Sequence, residues 1–208
     1  ETARALHEEA LALRTELGDK WAIANSCHNL GNVYLDEGNY SAARTQLEAA
    51  VSLLREIGDR QAIANALHSL ANVMRDQGDY AASRAQYQES LTILRELGDR
   101  WIVAHLLEDM GVLATLQAQP ERALRLAGAA AALREEMGSP LSSAYQKKLD
   151  KMLEPARQAA GGTATERAMA QGRAMALEQA IEYAFGVLAE PGSDTEEIED
   201  EELRPPDY

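Results

Sequence analysis

Asparagine and histidine recur at helical spacing in two stretches of the chain. Asn65, His68, Asn72 and Arg75 stand at i, i+3, i+7 and i+10, and Asn25, His28 and Asn32 repeat the first three forty residues earlier. The third copy is looser, with His105, Glu108 and Val112. Amide side chains offer both donors and acceptors, which suits the backbone groups of a bound peptide. Histidine can donate, accept or charge near neutral pH. Asparagine is a mediocre helix former, so an exposed one at the centre of a helix calls for a reason. Two reasons stand open. The ladder hydrogen-bonds between adjacent helices, or it faces a partner.

Catalytic chemistry is not legible. No phosphate-binding Gly-Lys-Ser or Gly-Lys-Thr loop, His-Glu-x-x-His, Cys-x-x-Cys or Gly-x-Ser-x-Gly pattern occurs. His28 and His68 sit one period apart, with His105 three residues out of phase. A metal would need their ring nitrogens to converge at about 2.0–2.1 Å. Equivalent positions on neighbouring helices are about 8–10 Å apart, which does not assure convergence. The acidic residues read as solvated faces, and nothing pairs them for acid–base work. The expectation is a non-enzyme with no cofactor and no metal.

The elements that position the ladder come from a repeated text. Gly58–Leu97 is preceded by Gly18–Ile57 and followed by Gly98–Met137, three copies of one forty-residue phrase. In the middle copy Ile63, Leu67, Leu70, Ala71 and Met74 define one helical face. The ladder lies about 120° round the helix from it. Gly78 suits a left-handed helix stop and Asp79 the next N-cap. Tyr80, Tyr87, Leu91 and Leu94 then define a second face. Each copy is therefore an antiparallel helical hairpin, and fixed-period hairpins stack into a solenoid.

These residues carry a family resemblance. Leu30, Gly31, Tyr34, Ala43, Leu47 and Ala50 resemble the tetratricopeptide repeat signature. So do Leu70, Ala71, Met74, Ser83, Tyr87 and Ser90, and in the third copy Met110, Gly111, Ala114, Ala123, Ala127 and Ala130. The resemblance implies an all-α fold, a right-handed α-α superhelix closed by a C-terminal helical cap. It also implies that the ladder (Asn25, His28, Asn32, Asn65, His68, Asn72, Arg75, His105, Glu108) lines a concave groove that takes a peptide or protein partner. The period exceeds the family's usual one by about six residues, so both helices should run to about 17 residues. This longer form is similar to the repeats of kinesin light chains and of bacterial regulatory ATPases.

The boundaries follow. Residues 1–17 are a helix B without its helix A, consistent with a trimmed chain, and leave an apolar face open to self-association. Full repeats span 18–57, 58–97 and 98–137. Trp21 and Trp101, at equivalent positions, are expected at the inter-repeat junctions. Residues 138–189 form the cap. Within it one helix runs from Leu141 to Ala159, kinked or ended by Pro155. A second spans Ala164–Ala174 behind a Thr163–Glu166 capping box, and a third spans Leu177–Leu188. The cap phrase Gln171–Ala184 resembles the segment that closes the repeat region of NB-ARC or AfsR/MalT-like signal-transduction ATPase regulators. That resemblance implies a sensor arm of a bacterial regulator. A free-standing scaffold or adaptor is the rival reading.

Charge limits the partners. The net charge is −14, with nine acidic residues and one basic residue in 190–208. An acidic surface disfavours nucleic-acid backbones and anionic membranes. The tail reads as solvated linker or as an acidic segment that folds onto a basic neighbour. No apolar run is long enough for a bilayer span. The single cysteine, Cys27, fits a reducing cytoplasm.

Overall fold

The computed structural model describes residues 2–186; the acidic tail lies outside them. Among the described residues there are ten α-helices and no strand. They are α1 (Thr2–Leu17), α2 (Lys20–Asp36), α3 (Tyr40–Ile57), α4 (Arg60–Asp76), α5 (Tyr80–Leu97), α6 (Arg100–Leu116), α7 (Pro120–Glu136), α8 (Ser143–Ala160), α9 (Gly162–Arg173) and α10 (Leu177–Phe185). The three hairpins α2–α3, α4–α5 and α6–α7 have helices of 17 or 18 residues, the length the forty-residue period predicts.

The same caps recur. The Asp19, Asp59 and Asp99 carboxylates each accept the amide N–H three residues on, at 3.0 Å, and Asn39 and Asp79 do the same for the B helices. Each of these satisfies a backbone donor that the first helical turn leaves orphaned. The turn between the two helices needs a left-handed residue, which Gly38 and Gly78 supply at φ +74° and +83°. The third repeat has Ala118 there at φ +55°, a conformation that costs a non-glycine residue about 1 kcal/mol. Lys20–Glu56, Arg60–Glu96 and Arg100–Glu136 tie the start of each A helix to the end of its B helix. These pairs are exposed, so each contributes no more than about 1 kcal/mol.

Both predicted apolar faces of the middle repeat are core. Leu67, Ala71, Tyr87, Leu91 and Leu94 are fully buried, and Ile63, Leu70 and Met74 nearly so. Where the first repeat has Ala43 and Ala50, the second has Ser83 and Ser90. Their buried hydroxyls donate to the Ala71 and Ala64 carbonyls of helix α4. The A helices α2, α4, α6 and α8 contact one another in succession, while each B helix meets the A helices on either side of it.

The C-terminal helices depart from several expectations. Helix α8 begins at Ser143, one turn-residue past the Ser142 cap, and passes through Pro155 without ending, as far as Ala160. Leu149, Leu153 and Ala156 are buried on either side of the proline, and that packing holds the helix together where a backbone donor is missing. The Thr163–Glu166 capping box does not form. Gly161, at φ +79° and ψ 163°, starts α9 already at Gly162, and the Thr165 hydroxyl donates instead to the Arg157 carbonyl. Helix α10 stops at Gly186 in a left-handed turn. Helix α8 takes the A position after α6, but α9 packs mainly along α7 rather than pairing with α8, and α10 lies over α5, α6 and α7. At the other end, Leu6 and Leu13 of α1 are exposed.

Candidate interaction surface

The ladder lies where the A helices meet, and part of it is spent inside the protein. His28 of α2 hydrogen-bonds Ser69 of α4 through Nε2 at 3.0 Å, and Asn32 donates to the same nitrogen at 3.3 Å. A ring nitrogen that accepts these bonds belongs to a neutral imidazole. Burial, and behind it the charge of His68, holds the His28 pKa below its ordinary value. One repeat on, His68 Nε2 meets Asp109 Oδ2 of α6 at 2.6 Å. Both contacts join a histidine to the residue 41 positions later. The ladder therefore bridges adjacent A helices, one of the two readings the spacing leaves open.

Arg75 and Glu108 do not stand free along a wall. Arg75 is buried, and its Nη1 donates to Asn72 Oδ1 at 2.9 Å, Tyr87 Oη at 3.2 Å and Asp109 Oδ1 at 3.1 Å. Glu108 is buried against Arg134, which donates to it through Nε and, at 3.0 Å, through Nη2. Their charges are consumed in ion pairs. Burial pushes the Asp109 pKa up. The hydrogen bond and charge of His68, the charge of Arg75 and the Asn72 amide outweigh it and hold the carboxyl at about 2. Asp109, Ser69, Tyr87 and Arg134 escape a search for ladder residues, because each joins the network from another helix or another phase. The offset of 41 between histidine and acceptor was the available signal.

Other members stay accessible. Asn25 is half-buried and donates to the Trp21 carbonyl of its own helix. Asn65 is half-buried, at the centre of α4, and makes no side-chain hydrogen bond among the described residues. His105, by contrast, is mostly covered: its Nδ1 lies 3.4 Å from Glu108 Oε2, and its ring packs edge-on against Trp101 and against Tyr145 of α8, with ring centroids 4.4 and 5.5 Å apart. Trp21 reaches the next repeat as expected, donating from Nε1 to Asp59 at 3.1 Å, yet about half of it remains exposed. Gln61 makes the equivalent bond to Asp99 at 2.8 Å.

Four A-position helices enclose one hollow of about 270 Å³. Leu35 and Asp36 come from α2, Asn72, Arg75 and Asp76 from α4, Asp109 from α6, and Tyr145 and Lys148 from α8. Asp36 and Asp76 are exposed at its edge, Asp76 accepting from Arg75 Nε at 2.8 Å, and Arg75 and Asp109 form a paired floor. The arrangement can hold polar chain and cationic side chains. It contains no nucleophile paired with a base. Among the described residues no group of three His, Cys, Asp or Glu side chains could hold a metal, and no helix is long and apolar enough to cross a membrane.

Comparison with known proteins agrees with this geometry. No curated protein matches the chain. A tetratricopeptide repeat profile matches residues 1–56 and 62–136, the segments that fold into α1 to α7. Such repeats typically mediate protein–protein interaction. With well over half its length matched and its hairpins stacked as an all-α solenoid, the chain belongs to the tetratricopeptide repeat family.

Proposed function

We propose that the inner wall made by α2, α4, α6 and α8 receives a basic peptide segment of a protein partner. The chain then acts as the cytoplasmic sensor arm of a bacterial signal-transduction or transcription-regulating ATPase. The observation that carries the reading is the hollow rimmed by Asp36 and Asp76, with the unpartnered Asn65 amide on the same helix as Asn72 and Asp76. The Asp36 carboxylate, and Asp76 where it is not engaged by Arg75, favour lysine or arginine side chains, and the free amide suits peptide backbone. The net charge of −14 steers basic partners toward the surface and nucleic acid away from it. The sensor-arm part rests on the resemblance of Gln171–Ala184. In it, partner binding shifts the equilibrium of attached domains by binding their states unequally.

Selection from a random peptide library is the direct test. Enriched peptides are expected to be rich in lysine or arginine. The combined Asn65→Ala and Asp36→Ala variant, which leaves the Asp76 partner of buried Arg75 in place, should bind them about tenfold or more weakly, at an unchanged melting temperature. Equal affinity for variant and wild type removes the wall as the site. In the intact protein the same peptide should change the rate of ATP hydrolysis. An intact protein without a nucleotide-binding module defeats the sensor-arm reading and leaves the wall standing.

The exposed Leu6 and Leu13 on α1 support self-association through the N-terminal face. Sedimentation should register dimer for the wild type and monomer for Leu6→Glu with Leu13→Glu. Monomer for both at high concentration excludes it.

A further inference from the structure

We propose that a second site, where the third repeat meets the helices that follow it, binds a small, uncharged, largely apolar molecule. A cavity of about 420 Å³ lies between α6, α7, α8 and α9. Its apolar wall is made by Ala127, Ala131, Leu141, Leu149, Leu153 and Met169. The volume falls in the range of small-ligand pockets.

The repeat text explains why the space exists. Helix α3 fills its own core with Leu47, Val51 and Leu54, and α5 with Tyr87, Leu91 and Leu94; each of the six is no more than 5 % exposed. At the same three positions α7 has Ala127, Ala131 and Arg134. Two large side chains have become methyl groups side by side. Leu149 and Leu153 of α8 return only part of the lost volume. Native cores are packed to crystal-like density, and voids beyond the size of a water molecule are few. A cavity created by two neighbouring truncations is therefore a departure that a bound molecule would fill.

The third change decides the class of ligand. Arg134 stands where the other repeats have leucine, and it pairs with Glu108, which stands where they have His28 and His68. The two changes answer each other within one hairpin. The remaining charged groups in the wall are matched as well, Glu135 to Arg173 and Asp150 to Arg157 at 2.7 Å. An ionic ligand would find every counter-charge already taken and would itself have to be desolvated. A neutral molecule with an aromatic or branched hydrocarbon body meets no such cost. Polar edges of the ion pairs remain to orient one hydrogen-bonding group. Gly138, Pro140 and Gln146 are exposed at the mouth and leave a way in.

The test uses N-phenyl-naphthylamine, a neutral dye whose fluorescence rises in an apolar site, titrated into the full chain. Saturable one-to-one binding is expected for the wild type. Ala131→Leu, which restores the residue of the second repeat, should weaken it about tenfold or more while keeping or raising the melting temperature. Ala131→Val, the residue of the first repeat, should fall between the two and covers the case in which leucine overpacks. The variant with Leu6→Glu and Leu13→Glu should bind as the wild type does. Anilinonaphthalene sulfonate, of similar shape but anionic, should bind about tenfold more weakly. Absent binding, equal binding by both Ala131 variants and the wild type, loss in the α1 variant, or tighter binding of the sulfonate each overturns the proposal. None of these outcomes bears on the peptide wall, which lies on other residues apart from the shared Leu149.

Discussion

Gly172→Ala is expected to lower stability by about 3 kcal/mol, which for a domain of this size lowers the melting temperature by about 6–12 °C. Intrinsic propensity predicts the opposite sign. Alanine is favoured over glycine in a helix by up to about 1 kcal/mol, and Gly172 lies inside α9. Packing decides against it. A Cβ at Gly172 would lie 1.9 Å from the Arg125 carbonyl oxygen, and one at Gly128 would lie 2.3 Å from that of Met169. Both obstacles are backbone atoms, so no side chain can swing away. The glycines let α7 and α9 touch main chain to main chain, and a methyl group at either one forces the helices apart.

That separation also breaks what Arg125 holds together. This guanidinium is fully buried and donates to Gln171 of α9 at 3.0 Å, to the Tyr183 hydroxyl of α10 at 3.2 Å and to Glu121 at 3.0 Å. Removing the partners of a buried charge is among the costliest single changes to a fold. Stacked repeats can melt in parts, so amide hydrogen exchange across α8 to α10 is the sharper readout. Gly162→Ala serves as control, because nothing lies within 4 Å of its Cβ. A Gly172→Ala protein that melts at or above the wild-type temperature would show that the close approach is unnecessary.

Periodicity made the hairpins readable. Asp59, Gly78 and Asp79 mark helix ends by local chemistry that needs no knowledge of the tertiary structure, and Leu67 and Leu91 mark buried faces by spacing alone. The cap was harder for physical reasons. Its helices occur once, so no second copy checks a boundary. Pro155 reads as a helix breaker, yet tertiary burial of Leu153 and Ala156 carries the helix past it. The Thr163–Glu166 pattern has the letters of a capping box, but Gly161 adopts a backbone conformation that starts the helix earlier. Gly128 stands among alanines in the sequence, with nothing local to set it apart. Its role depends on α9, which a reading of α7 alone does not contain. The ladder was legible as a stripe but not as a network. Spacing within one helix says nothing about Ser69 or Asp109 across the gap.

Asp109→Ser is expected to cost about 3 kcal/mol, because it takes the carboxylate at 3.1 Å from the buried Arg75, leaving it only the Asp76 carboxylate at 2.8 Å, and removes the partner of His68 at 2.6 Å. The repeats themselves supply the rescue. Ser69 occupies the position of Asp109 one repeat earlier, and Leu35 that of Arg75. There the His28–Ser69 bond forms with no buried ion pair. Asp109→Ser combined with Arg75→Leu copies that neutral arrangement and should return most of the loss. Buried ion pairs are often replaceable by apolar groups although neither partner is dispensable alone. Acid should reproduce the single variant in the wild type. The Asp109 carboxyl titrates near 2 in the folded chain against about 3.9 unfolded, so its contribution is complete above pH 4 and is lost as pH falls toward 2. That difference corresponds to about 2–3 kcal/mol. Melting curves between pH 5 and pH 2 should therefore fall more steeply for the wild type than for the double variant, which has neither charge. Parallel curves for the two proteins, or a single variant as stable as the double, would mean that this ion pair does not anchor the second repeat to the third.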